Sequence, residues 1–429
     1  MRVDVSEISR TVGHINLDVE VRDDGVDARL SVLNDPRFIE ALTMGREYFR
    51  VPEITSRICG PCSISHTIAP ITALEKAMGV EVSDDVKLLR ETAILCEIVE
   101  NHIVHLYVLT LPDYMGYKNT VELARNHPEV LKRALTLKAT VTRAAEALTG
   151  RLVHPNACVV GGFTRVPSKG RLEKIQGELK GLIEHAVETA DLFMNLEYPE
   201  LTVDGDMWSA VYGGYAFIGD ELMFSDENIV SSLDYNKVLS EQNVSYSTSK
   251  KVTAHGLPVY VGARARLNLR WRDLSDLAKE YVKELRLPLR NPYDNVRAQA
   301  VEVVHCLEKA VENLDYLIDA AARGIKALTK VEARKGEGVG VKEAPRGILI
   351  HHYRVSETGI ITHANIITPT TINSGHVEIA AKRLVEIYRE EGAGVERLRF
   401  DLERLVRAYD PCLGCATHTI KISIRGYDP

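Results

Sequence analysis

The sequence predicts an α+β protein: a mainly helical core of long helices, an N-terminal β-hairpin and small β-rich excursions. Three observations carry that expectation. Residues 3–32 alternate apolar and polar side chains with period two, as half-buried strands do. Most of the remaining chain shows helical periodicity bracketed by capping residues, prolines and glycines. Two stretches, about 208–267 and 333–370, break that periodicity and read as β structure.

Taken in order, Ile15 to Val21 form the first clear strand, Asp23-Asp24-Gly25 is a turn signal, and Ala28 to Val32 return as the second arm. Ser83-Asp84-Asp85 caps a helix that runs to about Leu111, where Pro112 stops it. Pro128 and Gly150 bracket another helix. Ser168 to about Phe193 is a third, and Asn291-Pro292 opens a long Ala- and Glu-rich one reaching about Lys330. Residues 374–391 and 395–408 complete the set. The stretch from Trp208 to Leu267, with Tyr212, Tyr215, Phe217, Tyr246 and Tyr260, reads as a β-rich insertion spanning about 200–267. The run Gly336-Glu337-Gly338-Val339-Gly340 lacks the lysine and helix start of a phosphate-binding loop, so it reads as a flexible connection. A single domain over 1–429 is expected, with the hairpin within 1–35 and a short tail at 419–429.

Composition narrows the function classes. The 429 residues are 45% apolar and 26% charged, as in ordinary globular proteins. A net charge of −7 gives no reason to expect nucleic acid or an anionic membrane surface as a partner. No run approaches about 18 uninterrupted apolar residues, so no direct membrane insertion is expected. Met1 to Arg22 lack the apolar run of a signal peptide, which leads to the expectation of a cytoplasmic protein. Seven cysteines at this length do not make a disulfide framework. Cys96, Cys158 and Cys306 stand alone in apolar surroundings and read as buried core thiols.

The other four cysteines form two CxxC pairs, Cys59/Cys62 and Cys412/Cys415, each followed by a histidine, His66 and His418. Thiolates are soft ligands, suited to zinc, nickel, iron–sulfur clusters and low-valent copper. One such pair is half a zinc site, a redox dithiol or an iron–sulfur ligand pair. Roughly 350 residues separate the two pairs, whereas zinc ribbons keep theirs within about 15–20. A thioredoxin-like dithiol needs one CxxC in a βαβ setting, which the pattern does not show.

The flanks go further. Arg57-Ile58-Cys59-Gly60-Pro61-Cys62 with His66, paired with Asp410-Pro411-Cys412-Leu413-Gly414-Cys415 with His418, resembles the signatures of the [NiFe]-hydrogenase large (catalytic) subunit. Asn101-His102 to His105 with Leu111-Pro112-Asp113, His154-Pro155-Asn156 with Gly161-Gly162, Ala344-Pro345-Arg346-Gly347 and Pro369-Thr370-Thr371-Ile372-Asn373 are similar to further motifs of that family. The matches extend over nearly the whole chain. They look most like the cytosolic multimeric group, whose members exchange electrons with NAD(P), the deazaflavin F420 or a heterodisulfide-reducing partner.

The resemblance implies a set of roles. Cys59 and Cys412 would be terminal ligands to nickel, and Cys62 and Cys415 would bridge nickel to an iron carrying CO and two cyanides. Arg346, beside Pro345, would stand over the open metal face, held by Asp113. Thr370 or Thr371 would hydrogen-bond a cyanide. His66 would tune a bridging sulfur. Taken alone, Arg346 reads as a salt-bridge partner, a Thr in a β-rich stretch as strand packing and a helical His as a structural hydrogen-bonder. His102 and His105 share a helix face, but the family gives them packing and supporting roles. Glu40 and His418 would hold a second cation near the C-terminus, Mg2+ or Fe2+; Glu40 alone also reads as a solvated helix residue.

The chain departs from the family pattern twice. Ser9-Arg10-Thr11-Val12-Gly13-His14 carries Val12 where a proton-relaying glutamate is expected, and valine relays no proton. The eleven residues after His418, with Ile420 to Arg425 alternating like a strand, are either a peptide removed by a maturation endopeptidase or a retained strand.

The function implied is reversible heterolytic cleavage of H2. No iron–sulfur motif beyond the four cysteines and no dinucleotide fingerprint is present. An Fe–S cluster small subunit and further cofactor-reducing subunits are therefore the expected partners. An H2-sensing regulatory subunit would share this site. A metal-free structural relative is disfavoured by the four retained cysteines, and a zinc-stabilised scaffold by their separation.

Overall fold

A computed structural model describes residues 2–5, 8, 10–11, 13–23, 25–215 and 217–417. Among them the N-terminal hairpin is present, with Ile15–Arg22 paired antiparallel to Gly25–Val32 and Arg2–Val5 added on the outer side of the first arm. Ile15, Leu17 and Val19 are buried, as the period-two pattern requires.

The helical core is centred on the helices Asp84–Val104 and Asn295–Arg323. The first packs against Pro128–Thr149 and against the second. The Asn295–Arg323 helix also packs on Lys169–Lys180 and Ile183–Met194. Ser83 caps the first of these helices, its hydroxyl accepting the Val86 amide at 3.3 Å. The described helical stretch long and apolar enough to cross a membrane, Asp84–Tyr114, has 83% of its apolar window buried inside the protein, as a core helix does.

Several boundaries differ from the sequence expectation, each for a physical reason. Pro112 does not end its helix. The chain widens into a π-helical segment, His105–Thr110, and continues as Leu111–Tyr114. The wide turn admits a residue that cannot donate to the ladder. The Thr110 hydroxyl lies 3.1 Å from the His105 carbonyl and 2.9 Å from that of Leu106 and donates to them. The helix expected from Ser168 to Phe193 is two, broken at Gly181-Leu182. The long helix ends at Arg323, where Gly324 turns to φ 90°. The helix expected from 374 begins at Pro369, which places Thr370 and Thr371 in a helix's first turn rather than in a strand.

The glycine run is also not a loop. It opens the strand Gly336–Ala344, paired to Gly347–Val355 over its whole length. The strand lies directly on the helix Ser65–Met78. A Cβ on Gly336, Gly338 or Gly340 would sit 1.8, 2.1 or 2.2 Å from the carbonyl oxygen of Ala77, Ala73 or Ala69. Two strand residues and four helix residues each advance about 6 Å, so small residues meet in step. The strand belongs to a four-stranded sheet in the order Ile361–Ile367, Gly347–Val355, Gly336–Ala344, Ile218–Gly219. The expected β-rich insertion supplies a six-stranded sheet from residues between Met207 and Tyr260.

Candidate metal centre

The two CxxC pairs meet. Cys59, in extended backbone at φ −149°, precedes a Gly60-Pro61 turn, and Cys62 leads into the Ser65–Met78 helix. Cys412 caps the short helix Leu413–Ala416, and Cys415 lies on it. The sulfurs of Cys59 and Cys412 are 3.3 Å apart, those of Cys62 and Cys415 3.4 Å, and those of Cys412 and Cys415 2.9 Å. All four are buried, outside any disulfide and within 4.8 Å of one another. These separations exceed a disulfide's, about 2.05 Å. Four thiols facing one point suit soft, thiophilic cations. Burial pushes the Cys62 and Cys415 thiols up, Cys412 and Cys59 add to it for both, and Cys62 acts against it on Cys415. Cys412 is pushed down by hydrogen bonds from Cys415, Cys59 and Cys62, with the Arg346 charge adding to them. Cations bound among the four sulfurs would draw them into the thiolate form.

Two groups join the halves that carry the cysteines. Arg37 donates to the carbonyls of Arg57, at 2.9 Å, and of Ile58 before the first pair, and to that of Gly414 inside the second. Its own amide donates to the Thr417 carbonyl at 3.0 Å. Gly13, at φ +117°, lies so close to Leu413 that a Cβ would approach the Leu413 Cβ to 2.8 Å. The N-terminal motif thus abuts the second cysteine pair. Val12 itself, like His418 and the tail 419–429, lies outside the described residues.

Buried carboxylates fix the first pair and its surroundings. Glu97 accepts the amides of Ile64 at 2.6 Å and Ser65 at 3.0 Å, at the start of the helix that follows Cys62. Burial pushes its carboxyl up to about 8, against these hydrogen bonds. His66 Nε2 is 3.6 Å from Cys415 Sγ, and its Nδ1 is 3.4 Å from His351 Nε2. His351 Nδ1 is in turn 2.9 Å from the Tyr353 hydroxyl.

Arg346 lies in the tight connection between the strands Gly336–Ala344 and Gly347–Val355 and is 5% exposed. Its Nε donates to the Asp410 carbonyl at 2.6 Å and its Nη2 to the Asp410 carboxylate at 3.0 Å. Nη1 is buried with no protein partner. Burial opposes the charged guanidinium, but Asp410 and the sulfurs of Cys412, Cys62 and Cys59 outweigh it and hold Arg346 charged. A cationic donor without a partner beside a thiolate cluster suits anionic ligands on the metals.

The expected Arg346–Asp113 pair is therefore corrected. Asp113 accepts from Arg407 Nε at 2.7 Å and from Arg10. Asp410 takes the place assigned to it, from a left-handed conformation at φ 49° that Asp tolerates. Arg266 supports the Arg346 connection from behind. It forks onto Glu302 at 2.6 and 2.7 Å and onto Glu343 at 2.7 Å, and reaches the Ala344 and Pro345 carbonyls at 3.4 Å. His102 and Tyr215 complete the Glu302 shell at 2.8 and 2.6 Å.

Thr370 Oγ1 accepts the Cys412 amide at 3.0 Å, so this hydroxyl has a proton left to donate. Thr371 Oγ1 is 3.0 Å from Thr368 Oγ1, which donates to the Cys415 carbonyl at 3.2 Å. Glu40, in the first turn of Ile39–Thr43, accepts the Ile366 amide at 2.7 Å. Arg37, Glu97 and Asp410 were missed from sequence. For Asp410 the signal was present, an acid two residues before a ligand cysteine.

The family described as nickel-dependent hydrogenase matches residues 37–129 and 215–418. The chain is 36% identical to the sulfhydrogenase 2 subunit alpha of Pyrococcus furiosus, over 98% of this chain and 100% of that one. It is 26% identical to the NAD-reducing hydrogenase HoxS subunit beta of Cupriavidus necator, over 97% and 94%. The structure superposes on a crystal structure of an NAD+-reducing [NiFe]-hydrogenase in the H2-reduced state with a TM-score of 0.86, at 25% identity and over 97% and 99% of the two chains. The fold is shared with the [NiFeSe]-hydrogenase of Dm. baculatum, at a TM-score of 0.75. A four-cysteine centre in this fold, with these relatives along its whole length, makes the chain a member of the nickel-dependent hydrogenase family of large subunits, oxidoreductases acting on H2.

Proposed function

We propose that the chain catalyses reversible heterolytic cleavage of H2 into protons and electrons, as the catalytic subunit of a cytoplasmic complex. The observation that carries this reading is the convergence of four buried thiols under one unpartnered guanidinium nitrogen, Arg346 Nη1. Cys59 and Cys412 would hold nickel, and Cys62 and Cys415 would bridge nickel to an iron bearing CO and cyanide. Bound there, the metals supply redox-active Lewis acidity that polarises H2.

The protein's own groups do the rest. Arg346, held charged by Asp410, presents Nη1 to the anionic side of the centre. Thr370 or Thr371 would offer a hydroxyl from the first turn of their helix to a cyanide on the iron. The cysteine sulfurs are the first acceptors for the proton that leaves H2, and their burial keeps water out. His66 polarises Cys415 from 3.6 Å. Glu40 would share a Mg2+ or Fe2+ with His418. Electrons would leave through a small subunit carrying Fe–S clusters to a module acting on NAD(P), a deazaflavin or a disulfide. A maturation endopeptidase acting after His418 belongs to the same reading.

The test is H2-dependent reduction of a viologen dye by the purified complex, with H2/D+ exchange measured in parallel. Both are expected to be active and to be lost in Cys415→Ser. A complex loaded with nickel but inactive in both assays would overturn the reading.

A further inference from the structure

Away from the metal centre, a buried cation makes no ion pair with any described carboxylate. Lys342, on the strand that leads to Arg346, is 0% exposed, and its Nζ has no hydrogen-bond partner. It reaches the inner wall of a cleft of about 620 Å³ between the helices Ser65–Met78 and Asp84–Val104 and the short strand Ile218–Gly219. Arg90 lines the same cleft, 3% exposed, and its Nε is also buried without a partner. Lys76 and Lys87 stand at the mouth.

Of the carboxylates that line the cleft, Glu75 and Asp220 have other partners and Glu81 is exposed at the surface. Glu75 is forked by Arg90 at 2.7 Å to each oxygen and also accepts the Gly161 amide at 2.8 Å. Asp220 pairs with Lys76 at 2.5 Å. Glu91 lies close enough to be influenced by Lys342 but makes no hydrogen bond with it. Burial, with the charges of Arg90 and Lys76 adding to it, pushes the Lys342 amine well below its ordinary range. Protonating this amine without an ion pair carries the desolvation penalty of a buried charge, which an anion beside it would offset. Lys342 Nζ and Arg90 Nε are both buried without a hydrogen-bond partner on residues that line one cleft, the reverse of what a packed core selects.

We propose that the cleft is an anion site, taking a small oxyanion, phosphate or carboxylate, with Lys342 as its buried ligand. The oxyanion accepts from Lys342 Nζ at the inner end and meets the Lys76 and Lys87 charges at the outer end. The site stands apart from the cysteine cluster and does not depend on the metals.

The purified complex is dialysed to equilibrium against labelled phosphate, and separately against labelled succinate, at constant chloride. Saturable binding of one probe per large subunit is expected, weakened at least tenfold in Lys342→Met. The probe that binds identifies the source as inorganic phosphate or a carboxylate. Saturable binding of neither probe, or binding unchanged in Lys342→Met, overturns the site. Acetic anhydride labelling, mapped by mass spectrometry, covers a variant that does not fold. The bound probe is expected to slow Lys342 acetylation at least tenfold and leave Lys87 unchanged. Equal Lys342 labelling with and without probe, including none in either, also overturns it.

Discussion

Arg346 is gripped twice by Asp410, through the backbone carbonyl at 2.6 Å and the carboxylate at 3.0 Å, and Asp410 lies two residues before Cys412. The guanidinium is thus anchored to the same short segment that carries the thiol it faces. Asp410→Asn keeps the carbonyl contact and removes the charge. It is expected to lower H2 turnover about 100-fold, the scale of a misplaced catalytic group, with nickel content unchanged. Turnover per nickel is the measurement.

Asp113 is expected to behave differently. Its contacts to Arg407 and Arg10 tie the end of the π-containing helix to the helix Val395–Ala408 and to the N-terminal segment. Asp113→Ala leaves Arg407, which is 1% exposed, without this counter-charge. Arg407 keeps its contact to Glu403 at 3.3 Å, so a loss of about 1–3 kcal/mol is expected, seen as a lower thermal midpoint. Turnover per folded, metal-loaded molecule should fall far less than in Asp410→Asn.

Arg37 joins the two cysteine motifs through the carbonyls of Arg57, Ile58 and Gly414. Arg37→Met removes charge-assisted bonds of about 1.5–3 kcal/mol each at most. Incomplete nickel loading and faster nickel loss to a chelator are expected, with the helical core intact by circular dichroism.

Gly338 faces Ala73 and Ala77 backbone atoms at 2.1 and 2.6 Å from an ideal Cβ, and backbone cannot rotate away. Gly338→Ala should cost at least about 1–3 kcal/mol by overpacking. Denaturant titration is the check. Stability equal to the parent protein would show that the strand and helix can separate.

His305 gives a pH dependence. Burial pushes its imidazole down to about 4, and Nδ1 accepts the Ser275 amide at 2.9 Å. The folded protein therefore prefers the neutral ring. The stability this contributes is present above the unfolded value, about 6.5, and is lost as pH falls toward 4, by about 3 kcal/mol in all. In His305→Gln the decline in stability between pH 6.5 and 4 should be shallower.

The ligand cysteines were legible because thiol spacing and flanking residues are local. The hairpin and the long helices were legible because their periodicity is local too. What escaped depended on contacts across the fold. Gly336, Gly338 and Gly340 read as a flexible loop until the alanine face of the Ser65–Met78 helix explains why only glycine fits. Pro112 reads as a stop because a π-turn that absorbs it has no signature in composition. Asp113 and Asp410 are both acids beside family motifs, and only the path of the chain decides which reaches Arg346.

The central claim is that four thiols gather a nickel–iron pair. Metal analysis of the purified complex, combined with infrared spectroscopy, tests it most directly. Nickel equimolar with the large subunit is predicted, together with CO and cyanide stretching bands that disappear in Cys62→Ser. Stoichiometric zinc, with no nickel and no such bands, would contradict it.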